Sequence, residues 1–319
     1  MSFTVQCKTK GDWDVVLLRD ELLGTEVEIV PAAGAIMNGF QVETAEGKKN
    51  VVDGYHSMAD FKLNKHNGFK SAKMSPYACR VTDATYQWNG KSFHLDKFIL
   101  NGAAIHGFLY DAVFDIIHME AGAEEACVEM KYAYDGNMAG YPFPYNCTVK
   151  YMLSAESILS VTTHISNHPG SAGSIPIVDG WHPYFTIGDK VNDWFLEIAS
   201  DQMMEYDEKL IPTGKYMHRD DFFPGRIIGL RDLDNGFLLR EGISPVCTLW
   251  NQATGLAVKF ISVKNYPFLQ LYIPNDRKSI AIENLSGAPD AFNNGIGLIT
   301  LAPGEKMDFE VKIQVAAKS

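Results

Sequence analysis

Lys306-Met307-Asp308-Phe309-Glu310-Val311-Lys312-Ile313-Gln314-Val315 alternates polar and apolar side chains without a break. A period of two sets Met307, Phe309, Val311, Ile313 and Val315 on one side of a strand and Asp308, Glu310, Lys312 and Gln314 on the other, the pattern of a strand half-buried against a core. The same alternation recurs in Val128, Met130, Tyr132 and Tyr134, in Val149, Tyr151 and Leu153, and in Leu159, Val161, Thr163 and Ile165. One-sided strands of this kind predict antiparallel sheets. Between them lie Asp135-Gly136-Asn137, Asn167-His168-Pro169-Gly170, Ile211-Pro212-Thr213-Gly214, Asp234-Asn235-Gly236 and Ala302-Pro303-Gly304-Glu305, all read as turns that punctuate strands. Helical periodicity is not sustained, and only Ser57 to Asn64 is expected to form a short helix. The expectation is one large all-β unit of packed sheets, with long loops at one rim.

Composition supports a folded chain. At 319 residues the length suggests about two domains, although all-β architectures often run past ~200 residues as one. Hydrophobic residues make up 46% and charged ones 21%, ordinary for a globular protein with a sizeable core. The net charge of -11 and the lack of a Lys/Arg cluster argue against nucleic acid and for a neutral or cationic small molecule. No run approaches the ~20 apolar residues of a membrane span. The start Met1-Ser2-Phe3-Thr4-Val5-Gln6-Cys7-Lys8 lacks the order of a signal peptide, so a cytoplasmic location is expected. Cys7, Cys79, Cys127, Cys147 and Cys247 are odd in number and widely spaced, which predicts free thiols rather than disulfides or a zinc site.

Two segments carry the candidate chemistry. In Val178-Asp179-Gly180-Trp181-His182-Pro183-Tyr184-Phe185 an imidazole stands among aromatic rings suited to stacking on a sugar, with Asp179-Gly180 as a polar approach and Pro183 restricting the backbone after it. The plain alternative is a core histidine on a strand. In Ser279-Ile280-Ala281-Ile282-Glu283-Asn284-Leu285 a carboxylate occupies an apolar run, on the face of the small residues Ser279 and Ala281. A solvated outer-face carboxylate is the competing reading. His106 precedes Gly107, which permits close approach to the backbone, and Arg80 stands among apolar residues and needs an acceptor. Asp234 reads first as a turn former and Glu305 as a turn charge. His164 and His168 do not share a face in a strand and turn, so their spacing does not favour a metal. Neither a phosphate-cradling glycine loop nor a nucleophile elbow is present.

Taken in order, these motifs resemble the aldose 1-epimerase (galactose mutarotase-like) family from about Gly34 onward. Arg80 resembles the family's substrate-binding arginine, Ile105-His106-Gly107 its Leu-His-Gly element, and His182-Pro183-Tyr184-Phe185 its His-x-Tyr-Phe signature. Pro212-Thr213-Gly214 through Asp221-Phe222 to Asp234-Asn235 is similar to a further ordered stretch, as are Gln270-Leu271-Tyr272 and Leu301-Ala302-Pro303-Gly304-Glu305. The resemblance implies a large antiparallel β-sandwich, the galactose mutarotase-like supersandwich, as a single catalytic domain over residues 1–319 with its cleft on one sheet. It implies His182 as general acid, Glu283 as general base, and Arg80, His106, Asp234, Tyr184 and Gln270 as substrate contacts. Typical galactose mutarotases have an Asn before the catalytic histidine and a second Gly after the first, where this chain has Trp181 and Phe108. A branch acting on hexose 6-phosphates follows His-Gly-Phe with Ala-Arg, where this chain has Leu109-Tyr110.

The expected reaction is therefore the interconversion of α and β anomers of a free aldohexose by acid/base ring opening, without an organic cofactor. Some relatives carry a metal ion such as calcium, but no all-oxygen ligand set is recognisable here. On this reading burial raises the pKa of Glu283, and His182 is already suited to neutral pH. The partner is a monosaccharide, and a monomer or homodimer is expected, with no nucleic acid or membrane involved. The alternatives are a hexose-6-phosphate 1-epimerase, a non-catalytic sugar-binding sandwich, and a cupin-like metalloenzyme built on His106, His164, His168 or His182.

Overall fold

The computed structural model describes residues 2–317. Strand accounts for 52% of the chain and helix for 7%, so the architecture is all-β. Lys306–Ala317 lies at the middle of a nine-stranded antiparallel sheet, pairing on one side with Ile158–Asn167 and on the other with Leu256–Lys264. Beyond Ile158–Asn167 follow Tyr145–Ser154, Glu125–Tyr134 and the edge strand Asp115–Ala121; beyond Leu256–Lys264 follow Cys247–Trp250, Phe195–Ile198 and Arg226–Ile227. Phe309, Val311, Ile313 and Val315 are buried, as their alternation requires.

A second antiparallel sheet runs in the order Pro212–His218, Gln202–Tyr206, Asp234–Leu238, Phe268–Tyr272, Ile280–Leu285, Gly180–His182 and Ala72–Met74. Tyr184–Phe185 completes it by pairing with Ile280–Leu285 next to Gly180–His182. One side of this sheet, carrying Ile282, Leu269 and Leu271, packs into the common core. Phe185 meets Phe260 of the nine-stranded sheet edge-on with ring centroids 5.7 Å apart. The other side carries the chemistry described below.

The N-terminal strands Phe3–Lys10, Trp13–Asp20, Thr25–Val30, Ile36–Thr44 and Gly47–Asn50 form a meander. It is tied to the nine-stranded sheet by the Tyr151 hydroxyl, which donates to the Ala35 carbonyl at 2.9 Å. The expected helix is Met58–Asn64. Ser57 caps it by accepting from the Asp60 N–H, and the Asp12 carboxylate accepts from the N–H groups of Met58 and Ala59, so its first-turn donors are satisfied. Phe61 anchors it edge-on against Tyr55. A second short helix, Ala291–Asn294, was not anticipated.

Asp234-Asn235-Gly236 is not a turn but the start of the interior strand Asp234–Leu238. The glycine serves clearance rather than chain reversal: a Cβ at Gly236 would lie 2.3 Å from the Tyr206 hydroxyl and 3.0 Å from Oε1 of Gln270. Pro212-Thr213-Gly214 likewise begins the edge strand Pro212–His218. Cys79, Cys127, Cys147 and Cys247 are buried free thiols and Cys7 is an exposed one.

Candidate active site

Pleating decides what faces the cleft. His182 and Tyr184 point to one side of their strands, Glu283 to the same side of Ile280–Leu285, and Gln270 and Tyr272 to the same side of Phe268–Tyr272. The register sets Gln270 opposite Glu283, Gly236 opposite Gln270, and Asp234 opposite Tyr272, so the polar groups form adjoining rows. A small three-stranded sheet at the rim adds Arg80, on the strand Arg80–Val81, and His106, which directly follows the paired strand Ala103–Ile105. Together they line a cleft of about 250 Å³, with His66, Phe69, Tyr206 and Leu210 among its other walls. Every residue expected from the sequence to act on substrate faces this one cleft: Arg80, His106, His182, Tyr184, Asp234, Gln270 and Glu283.

At its floor Nε2 of His182 lies 3.2 Å from Oε1 of Glu283. These residues are 5% and 2% exposed, which overturns the solvated outer-face reading of Glu283. The His182 ring stacks on Tyr184, centroids 5.1 Å apart and planes 18° off parallel, and meets His106 edge-on at 5.0 Å. Nδ1 of His182, Nδ1 of His106 and Oε2 of Glu283 are buried with no hydrogen-bond partner. Unpartnered buried polar atoms are costly unless a ligand or water meets them.

Further along the sheet, the Tyr206 hydroxyl donates to Oε1 of Gln270 at 2.9 Å, and Nε2 of Gln270 donates to Oδ1 of Asp234 at 2.8 Å. This relay fixes the amide and points the Asp234 carboxylate. Arg80 donates from Nη1 to the Lys209 carbonyl at 2.9 Å, so its acceptor within the protein is a backbone oxygen. Its strand is pinned by Asp290, whose N–H donates to the Arg80 carbonyl while Oδ1 accepts from the Thr82 N–H. Phe69, Cys79, His106 and Leu210 all adopt left-handed backbone angles, with φ between 52° and 60°. Such conformations gather where a site demands a particular side-chain direction. Gly107, which follows His106, has no room for a side chain, because a Cβ there would stand 2.2 Å from the Ser75 carbonyl oxygen.

Burial controls the charges. Desolvation, with a smaller push from Asp234, holds the Glu283 carboxyl well above the usual carboxylate range. Desolvation lowers His182 to about 4 and drives His106 well below the ordinary imidazole value. Where the sequence suggested that His182 suits neutral pH unaided, burial instead disfavours the charged forms of both His182 and Glu283. Asp234 is raised by burial, offset in part by Arg80 and Gln270.

Two other expectations need correction. Trp181 and Phe185 are buried in the core on the opposite side of the sheet from His182, so of the three neighbouring rings only Tyr184 walls the cleft. Asp179 offers no polar approach, being fully buried 2.5 Å from Lys73 Nζ. Of the histidines in the metalloenzyme alternative only His106 and His182 come together; His164 pairs with Asp308 at 2.7 Å on the nine-stranded sheet, and His168 accepts from the Gly170 N–H in a turn. Among the described residues no group of three or more His, Cys, Asp or Glu side chains is placed to hold a metal ion. Glu305 is the turn charge expected, accepting from the Ala302 N–H. Tyr206, Tyr272, Phe69 and His66 were missed. Of these only Tyr272 left a signal, two residues after Gln270 and hence on its face.

Comparison with known proteins adds an independent line. The family model described as Aldose 1-epimerase matches residues 14–314. An aldose 1-epimerase of Streptococcus thermophilus is 24% identical over 316 residues, covering 88% of each chain. The uncharacterized protein YihR of Escherichia coli (strain K12) is 26% identical over 238 residues, covering 72% of this chain and 74% of that protein. The crystal structure of a galactose mutarotase-like protein from Clostridium acetobutylicum superposes with a TM-score of 0.86 at 17% identity over 99% of both chains, a likeness of fold.

Proposed function

This chain belongs to the aldose 1-epimerase family, and from there we propose that it interconverts the α and β anomers of a free aldohexose. The observation that carries this reading is the buried contact of 3.2 Å between His182 and Glu283, open to a cleft of monosaccharide size. At about 250 Å³ the cleft falls below the ~300–1,000 Å³ of sites for drug-sized ligands.

In the proposed reaction Glu283 removes the proton from the anomeric hydroxyl while His182 delivers one to the ring oxygen. The C1–O5 bond breaks, C1 becomes an aldehyde carbon, rotation about C1–C2 exposes its other face, and reclosure reverses both transfers. The protein regains its starting protonation. The pair is preset for this: a neutral carboxyl beside a neutral imidazole holds the same protons as a carboxylate beside an imidazolium, and one transfer across their contact converts one into the other. Sugar hydroxyls meeting the unpartnered Oε2 and Nδ1 would favour the charged form. Arg80 and His106 stand where they could bear the charge developing on O5, and Asp234 and Gln270 where they could hold hydroxyls.

A free sugar rather than its 6-phosphate is favoured because, among the described residues, Arg80 is the one Lys or Arg side chain on the cleft wall, set against Asp234 and Glu283. The test is NMR exchange between anomers of glucose, galactose, xylose and their 6-phosphates. Acceleration of the free aldoses is expected. Acceleration confined to the 6-phosphates overturns the substrate, and none at all leaves a sugar-binding protein without turnover.

A further inference from the structure

Three stretches of the chain each set a ring beside a charge: Lys65-His66, Lys97-Phe98 and Tyr110-Asp111. The charges meet, Asp111 accepting from both Lys65 and Lys97. So do the rings. His66 lies against Phe98 with centroids 4.0 Å apart and planes 21° off parallel, its Nε2 stands 3.2 Å from the Tyr110 hydroxyl, and Phe69 packs edge-on to both Phe98 and Tyr110. The ion pairs tie the three backbones together one residue away from where the rings touch.

What this bracing holds is an exposed side chain on the wall of the His182–Glu283 cleft. An exposed histidine ordinarily keeps its rotamer freedom, and contacts of this kind take it away. Stacking on Phe98 sets the plane of the His66 ring and the Tyr110 hydroxyl takes one of its nitrogens, which leaves Nδ1 for whatever enters the cleft. Burial first, and then the Lys65 charge, hold the imidazole below its ordinary value, so near neutral pH it is uncharged, with one nitrogen a donor and the other an acceptor. Whichever role Tyr110 leaves to Nδ1, a hydroxyl can answer it, being donor and acceptor at once.

The position is remote from the proton transfers. Ring contacts run from His66 to Phe69 at 5.5 Å, from Phe69 to His106 at 4.7 Å and from His106 to His182 at 5.0 Å, so two rings stand between His66 and the acid/base pair. A sugar with C1 and O5 at His182 and Glu283 presents its hydroxyls on C3, C4 and C6 to the more distant walls. We propose that His66 is a specificity-determining residue, hydrogen-bonding through Nδ1 one hydroxyl on the carbons remote from C1 and so ranking aldoses by whether they carry it. The inference rests on the anomerase reading above and names what sets its preference among aldoses.

The experiment measures kcat and KM for anomer exchange by NMR on the full chain, with glucose and its 3-deoxy, 4-deoxy and 6-deoxy analogues, in the native protein and in His66→Phe, which keeps a flat ring on Phe98 and removes both nitrogens. In His66→Phe glucose should lose about tenfold in kcat/KM, carried by KM, with kcat within about twofold. The analogue lacking the hydroxyl that Nδ1 holds should be turned over by the two chains within about twofold of each other, while the other two analogues fall with glucose. Tyr110→Phe, which releases the ring without removing it, should give the same pattern in milder form, and His66→Leu is the second variant should His66→Phe fold poorly. Equal losses on glucose and all three analogues, as a merely structural ring would give, sink the inference, as do unchanged values on all four or a fall in kcat at constant KM. The anomerase reading survives each of those results. A native chain that accelerates no sugar sinks both.

Discussion

The eight-stranded sheet buries an ionisable pair on each of its sides, and the two are built differently. On the cleft side Nε2 of His182 and Oε1 of Glu283 stand 3.2 Å apart, with Nδ1 and Oε2 unpartnered. On the core side Lys73 Nζ lies 2.5 Å from Oδ2 of Asp179 and 3.2 Å from the Gly180 carbonyl, while the Tyr266 hydroxyl donates to the same Asp179 oxygen at 2.7 Å. Asp179 is raised by burial, but Lys73 and Tyr266 pull against it; burial raises Glu283 with no opposing cation in contact. The core pair is braced by fixed donors, all through Oδ2 of Asp179, while its Oδ1 is itself buried without a partner. Among the described residues the cleft pair has no such cation or hydroxyl in contact, and on the proposed reading that difference separates a structural charge pair from one able to exchange protons.

Replacing one member on each side is the sharpest way to break this contrast. Glu283→Gln should keep the fold and lower the anomerisation rate by ~10²–10⁴-fold, the usual worth of a positioned acid or base. Polarimetry of freshly dissolved glucose reads this directly, and an unchanged rate would remove Glu283 from the chemistry. Lys73→Met strands Asp179 without its ammonium partner and should cost ~3–5 kcal/mol of stability, whereas Lys73→Met with Asp179→Leu should recover most of it. Denaturant unfolding measures both; a stable single variant would show that the core pair is dispensable. Folded Lys73→Met protein should still turn over sugar.

Stability against pH sharpens the cleft side further. His182 titrates near 4 in the folded chain against ~6.5 unfolded, so as pH falls below ~6.5 the unfolded chain takes up the proton first. About 3 kcal/mol of stability should drain away between pH ~6.5 and ~4, and His182→Gln should flatten that limb. Glu283 has the opposite sign. Its raised folded value means stability is intact below ~4.5 and is lost as pH climbs above it, so Glu283→Gln should gain on the native chain with rising pH. Thermal melts from pH 4 to 9 on the three chains test both slopes, and parallel curves would deny that burial sets these charges.

Local pattern revealed what local forces decide. Lys306–Ala317 was legible because one face of it is core and the other is not, and the short helix expected within Ser57 to Asn64 is found at Met58–Asn64. Alternation applied to Trp181-His182-Pro183-Tyr184-Phe185 also separates His182 and Tyr184 from Trp181 and Phe185; the misjudged aromatic wall came from reading proximity in sequence as proximity in space. The resemblance brought Arg80, His106, Asp234 and Gln270 together on paper, and the cleft brings them together in space. Tyr206, Phe69 and His66 left no trace, since strand order and loop direction place them. The neutral state of His182 was equally hidden, because desolvation belongs to the assembled cleft and not to any motif.

The smallest expected effect concerns the residue that pattern reading mistook for a turn. Gly236 lies between Asp234 and the crossing of Tyr206 over Gln270, and its φ is not in the left-handed region, so backbone strain does not demand glycine there. Space does. The Cβ of Gly236→Ala would press on the Tyr206 hydroxyl, free Gln270 from its donor and loosen Asp234. His182 and Glu283 are left in contact, so KM for glucose should rise about tenfold, ~1.4 kcal/mol, with kcat changed far less. Tyr206→Phe removes the same hydrogen bond without the added methyl and should reproduce the KM change in milder form. If Gly236→Ala lowered kcat instead, the relay from Tyr206 to Asp234 would be supporting the acid/base pair itself, and the division of the cleft into a proton-moving floor and a hydroxyl-holding wall would have to be redrawn.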